Sequence, residues 1–216
     1  MNLKKYCMSK YIVFDFDGTI VDSEKEYFKA WKKAAEEYGY FLTDEQLLDF
    51  RSADKSLTYH LFGSLENYNK VREKRKEIIN NFLTKGKFSL KCGIKETLEY
   101  LYDKGYFLII ATSGDPNIVN EHLDYYDLKK YFIDVLSVRN LSRGKPYPDI
   151  YIEVCNHYEL NPLDVLVIED SPNGIKSASA AGCNVIMIPD QTKLDKELED
   201  KVICSIDSAL ELAKYL

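Results

Sequence analysis

From Tyr106 to Ile188, short apolar runs take turns with helix-patterned stretches, and this alternation constrains the fold more than any other feature of the chain. The runs are "YFLIIATS" (106–113), "YFIDVLSV" (131–138), "DVLVIED" (164–170) and "NVIMI" (184–188). Between them, helix starts are marked by Pro116, by "KPYPD" and by Pro172. An earlier run, "YIVFD" (11–15), has the same strand-like character. Strands that alternate with helices build βαβ units, so the expected fold class is α/β, a doubly wound, Rossmann-like parallel sheet. Further helices are expected near 94–104 and from about Asp207.

The stretch between the first and second strands reads differently. "EKEYFKAWKKAAEEY" places Tyr27, Phe28, Trp31, Ala34, Ala35 and Tyr38 at helical spacing, and Gly39 stops it. "NKVREKRKEIINNFL" continues the helical pattern, and no convincing strand interrupts the segment. It therefore reads as an inserted α-helical domain, residues 24–92, within a core made of 1–23 and 93–216. Its aromatic stripe is read as core and its charge run as a solvated helix face.

Composition narrows the function. A formal charge of -6 argues against a broad nucleic-acid-binding face. No apolar stretch approaches the roughly 20 residues that span a bilayer. The five cysteines (Cys7, Cys92, Cys155, Cys183, Cys204) are scattered without a Cys-x-x-Cys pair, and His60, His122 and His157 show no ligand spacing. A cytoplasmic location, a monomer or weak dimer, and no nucleic-acid or membrane partner are the expectations.

Open parallel sheets collect ligands beyond the C-terminal ends of their strands. Polar chemistry falls at those ends here: Asp15 and Asp17, then Thr112, then Glu169 and Asp170, with Lys145 ahead of a helix. Asp-x-Asp alone is common in turns and in calcium-binding loops. Two carboxylates so close after a buried strand are either a solvated turn or a place for a divalent cation. Glu169-Asp170 could likewise serve as a cap for the helix after Pro172.

Taken together, "DFDGT", the strand ending in Thr112-Ser113, "GKPYPDIY" and "IEDSPNGI" resemble the four motifs of the haloacid dehalogenase superfamily, in order and over nearly the whole chain. The resemblance is to the branch with an α-helical cap after the first strand, the β-phosphoglucomutase-like enzymes and small-molecule phosphatases. It implies a phosphatase of small phosphate esters, such as sugar or polyol phosphates, with Mg2+ as cofactor. It makes Asp15 the nucleophile that forms an aspartyl-phosphate, and Asp17 the general acid and later the base. Asp15, Asp17, Asp170 and Glu169 would hold the metal, whose preference is for hard oxygen ligands. Thr112, Ser113 and Lys145 would bind phosphoryl oxygens, and Lys76 matches a cap lysine that contacts substrate phosphate.

Departures from the mutases shape the expected reaction. Tyr27 stands where they carry a histidine, and Thr112-Ser113-Gly114-Asp115-Pro116 puts an anion where they carry a cation. The mutases' cap arginine is absent unless Arg51 or Lys55 replaces it. Asp115 is expected to disfavour a second phosphate, which favours hydrolysis over a phosphosugar mutase. A halide leaves without a proton, so Asp17 argues for an oxygen leaving group. From a different class, a phosphoacceptor signalling module or a non-catalytic phospho-ligand binder is the alternative; a receiver domain needs only ~120 residues and splits its acidic groups between strands.

Overall fold

A computed structural model describes residues 10–50, 56–190, 192 and 194–216. Cys7, Arg51 and Lys55 lie outside them. The chain divides into two compact units, Met1–Val21 with Leu90–Leu216, and Asp22–Ser89. The joins thus fall at 21/22 and 89/90, against 23/24 and 92/93 in the sequence reading.

The larger unit is built on six parallel strands: β1 (Tyr11–Phe14), β2 (Phe107–Thr112), β3 (Phe132–Ser137), β4 (Val165–Glu169), β5 (Asn184–Met187) and β6 (Cys204–Ser205). Their order is β3-β2-β1-β4-β5-β6. β1 is therefore central, and the chain winds outward from it in both directions, which makes the C-terminal ends of β1, β2 and β4 the switch point. β6 was not foreseen, because two residues are too few to carry a periodic signal.

Both sheet faces are buried, which explains why the strands read as continuous apolar runs. Val13, Ile109, Ala111, Val167, Val185 and Met187 share one cluster with Ile150, Tyr151, Val154, Ile175 and Ala178. The latter residues belong to α7 (Asp149–His157) and α8 (Pro172–Ala180). Ile12, Phe14, Leu108 and Ile110 point the other way by the strand period of two and are fully buried as well. Each such side chain contributes about 1.5–3 kcal/mol by leaving water.

Helix starts follow the local chemistry. α6 (Pro116–Tyr125) takes Asp115 as its N-cap, and α8 takes Ser171, whose Oγ accepts from Gly174 N at 3.2 Å. Both place proline at the first helical position, where its missing N–H costs nothing. α5 (Ile94–Asp103) matches its sequence reading. The expected terminal helix does not form as an α-helix. Ala209–Lys214 is a 3-10 helix whose buried residues are Ala209 and Leu212, a spacing of three that stacks them on one side of the tighter coil.

The smaller unit is all helical: α1 (Glu24–Glu37), α2 (Asp44–Asp49), α3 (Ser56–Tyr59) and α4 (Leu65–Leu83). Trp31, Ala34, Ala35, Leu47, Phe62, Tyr68 and Val71 form its core with Phe28 packed against it, whereas Tyr38 at the end of the expected stripe is exposed. α2 opens with a capping box between Thr43 and Gln46. Among the described residues no helix is long and apolar enough to cross a membrane.

Candidate active site

The strand ends of the larger unit bring distant residues together. Asp15 follows β1 directly, and its backbone N–H donates to the Ile168 carbonyl of β4 at 2.9 Å, which carries the β1–β4 pairing one residue past the strand. Residues 16–21 then turn tightly, with Gly18 N–H on the Val21 carbonyl at 2.8 Å. Gly18 has φ of +86°, and a Cβ there would collide with the Asp170 carboxylate. The left-handed turn and the close approach of Asp170 both require glycine.

One oxygen each from Asp15, Glu169 and Asp170 lies within 4.8 Å of the other two, and all three residues are buried. Lys145, on the loop before α7, donates at 2.6 Å to Asp15 Oδ1 and at 2.6 Å to Glu169 Oε1, and at 3.0 Å to the Ala111 carbonyl at the end of β2. Three strands are thus tied through one ammonium group. Burial pushes the Asp15 carboxyl up to about 7 against the pull of Lys145, with Glu169 and Asp17 adding to the rise. Burial also works to lower Lys145, but Asp15 and Glu169 outweigh it and hold the ammonium well above its ordinary range.

Glu169 is fully buried and heavily engaged. Its Oε1 accepts from Lys145 and, at 2.6 Å, from the Tyr151 hydroxyl. Its Oε2 lies 3.3 Å from both Asp170 N and Ser171 Oγ. A Cβ on Gly174 would fall on this carboxylate, so the first turn of α8 closes over it.

Asp17 stands apart from the three clustered carboxylates and is half-buried. A Cβ built on Gly114 would sit 3.2 Å from both Asp17 Oδ2 and Thr112 Oγ1, so these two groups converge on the loop after β2. Thr112 is fully buried, and its hydroxyl accepts from Gly114 N at 2.9 Å. Ser113 is exposed on the same loop. Thr19 Oγ1 is buried without a hydrogen-bond partner among the described residues.

The donor set fits a hard divalent cation. It is made of carboxylate oxygens, lies out of water, and carries more negative charge than Lys145 offsets.

The structure changes the reading of Asp115. Its carboxylate accepts from Asn117 N at 3.0 Å as a helix cap and pairs with Arg139 at 2.9 Å. The anion is therefore paired with a cation from the 3-10 turn that follows β3, which offsets part of its charge. In the helical unit, Lys76 is half-buried on α4 and ion-paired with Glu73 one turn away. Tyr27 packs on Phe88, with the Arg75 guanidinium 5.3 Å from its ring. Sequence reasoning missed Tyr151, Ser171 and Gly174 as supports of Glu169, although all three stand inside the quoted motifs.

Residues 12–188 match the family described as haloacid dehalogenase-like hydrolase. A phosphorylated carbohydrates phosphatase of Thermotoga maritima is 31% identical over 179 residues, covering 79% of this chain and 81% of its own. Hexitol phosphatase A of Escherichia coli is 33% identical over 182 residues, covering 83% and 82%. Among solved structures, a family IA, variant 3 hydrolase from Entamoeba histolytica is 26% identical with a TM-score of 0.77, covering 93% of this chain and 94% of that one.

Proposed function

Because the chain belongs to the haloacid dehalogenase-like hydrolases and is a phosphoric monoester hydrolase, we propose that Asp15 is its nucleophile and that its substrates are phosphate esters of small polyhydroxylated metabolites, such as sugars or polyols. The observation that carries the first part is Lys145 held between Asp15 and Glu169 in a buried, acid-rich site at the sheet's switch point. The second part is supported by the relatives named for carbohydrate and hexitol phosphates.

In this mechanism an Asp15 oxygen forms a bond to phosphorus as the ester oxygen departs, and Asp17 gives that oxygen its proton. Asp17 then takes a proton from water, whose oxygen displaces the Asp15 carboxylate and releases inorganic phosphate. Lys145 offsets charge on Asp15 and on the phosphoryl oxygens, while Thr112 and Ser113 orient them. Asp15 and Asp170, with the backbone carbonyl of Asp17, would hold Mg2+, which when bound supplies neutralising charge to the carboxylates and the ester. Glu169 serves chiefly through Lys145, since donors already occupy both of its oxygens. Lys76 is assigned to substrate phosphate by resemblance alone.

A phosphosugar mutase is the second reading, favoured by the Arg139 cation that offsets Asp115. The test is turnover of p-nitrophenyl phosphate and of a panel of sugar and polyol phosphates, in the wild type and in Asp15→Asn. Loss on the order of a thousand-fold or more is expected when a nucleophile is removed. Substantial activity in a folded Asp15→Asn protein would refute the assignment, and a hexose 6-phosphate formed from a 1-phosphate without phosphate release would favour the mutase.

A further inference from the structure

We propose that Tyr151 is a positioning residue for phosphoryl transfer, its hydroxyl fixing the Glu169 carboxylate so that Lys145 stays shared with Asp15; the inference rests on the assignment of Asp15, Lys145 and Glu169 above. Tyr151 is fully buried in α7, and its hydroxyl donates to Glu169 Oε1 at 2.6 Å, the same oxygen that receives Lys145. Lys145 Nζ also lies 5.2 Å from the centre of the Tyr151 ring, within reach of the negative face of the aromatic system. The ring and hydroxyl thus meet both halves of the Lys145–Glu169 pair.

The geometry gives the hydroxyl a directional effect. Lys145 is equidistant, at 2.6 Å, from two carboxylates that compete for it. A carboxylate oxygen that already accepts a strong hydrogen bond attracts a second donor less. With the phenol in place, Glu169 cannot claim the ammonium for itself. Without it, Glu169 draws Lys145 away from Asp15, and the nucleophile and the incoming phosphoryl group lose part of their neutralising charge. The loop itself is secured from the far side by Ser177, whose hydroxyl donates to the Tyr147 carbonyl at 2.6 Å. Tyr151 therefore adjusts how the lysine is shared rather than where the loop runs.

Tyr151→Phe keeps every ring contact and removes only the hydroxyl. The experiment compares it with Val154→Ala, a change in the same helix and the same core cluster that removes no polar group. With p-nitrophenyl phosphate as substrate, Tyr151→Phe is expected to lower kcat on the order of ten-fold, as loss of a hydrogen bond to a charged group does, with KM held within two-fold. Val154→Ala should lower the melting temperature while leaving kcat within two-fold. A Tyr151→Phe protein with kcat within two-fold of wild type would overturn the inference, as would an equal kcat loss in Val154→Ala. Wild-type protein that fails to cleave the ester, or Asp15→Asn protein that still cleaves it, would instead overturn the underlying assignment of the site.

Discussion

Gly174→Ala offers a demanding probe of the site, because it adds a single methyl group behind the catalytic residues. The new Cβ would lie 1.9–2.0 Å from the Glu169 carboxylate atoms, well inside contact distance. A carboxylate at the end of a flexible side chain normally swings aside at little cost. This one is fully buried and held by Lys145, Tyr151, Ser171 and Asp170 N, so moving it breaks bonds that no water can replace. Overpacking of this kind costs about 1–3 kcal/mol, and a hydrogen bond to a charged group about 1.5–3 kcal/mol. Alanine returns up to about 1 kcal/mol through its better helix propensity. The net loss is about 1.5–6 kcal/mol, which for a chain of this size lowers the melting temperature by roughly 3–24 °C. Displacing Glu169 also displaces Lys145, so kcat should fall on the order of a hundred-fold. Calorimetry and steady-state hydrolysis of p-nitrophenyl phosphate measure the two effects. Gly86→Ala, where nothing lies within 4 Å of the added methyl, is the control and should stay within about 0.5 kcal/mol of wild type. A Gly174→Ala protein with unchanged melting temperature and kcat would show that Glu169 is free to move, and the account of Lys145 would fall with it.

Other outcomes follow from the same site. Asp17→Asn should slow hydrolysis of alkyl phosphates by about 10²–10⁴-fold, while formation of the phosphorylated enzyme from nitrophenyl phosphate, whose leaving group needs no proton, should suffer far less. Equal losses in that step across leaving groups would remove Asp17 from the acid's role. Stripping divalent cations with a chelator should abolish turnover and added Mg2+ should restore it; full activity in excess chelator would contradict the reading of the acidic cluster.

Most of the sheet, and the position of the candidate site residues at its strand ends, are legible because their signals are local. The first five strands are compact apolar runs, unlike the two-residue β6, and Asp15, Thr112 and Glu169 mark where three of those runs end. The supports of the site were not legible, because they depend on pairings that no periodicity records. Tyr151 meets Glu169 across 18 positions of sequence, and nothing in "PDIY" separates this tyrosine from an ordinary core aromatic. Asp115 shows the same limit from the other side. Read singly it is an unpaired anion, yet folding brings Arg139 against it as an ion-pair partner. The terminal segment failed for a third reason, since a short run with two inward residues fits a 3-10 helix as well as an α-helix.

The central claim is that phosphorus is transferred to Asp15 before it reaches water. Acid quenching of Asp17→Asn protein during turnover of nitrophenyl phosphate, followed by borohydride reduction and peptide mass spectrometry, tests this directly. The account predicts homoserine at position 15, the reduction product of an acyl phosphate. An unmodified Asp15 in protein that is still turning over, or the modification at another carboxylate, would contradict it.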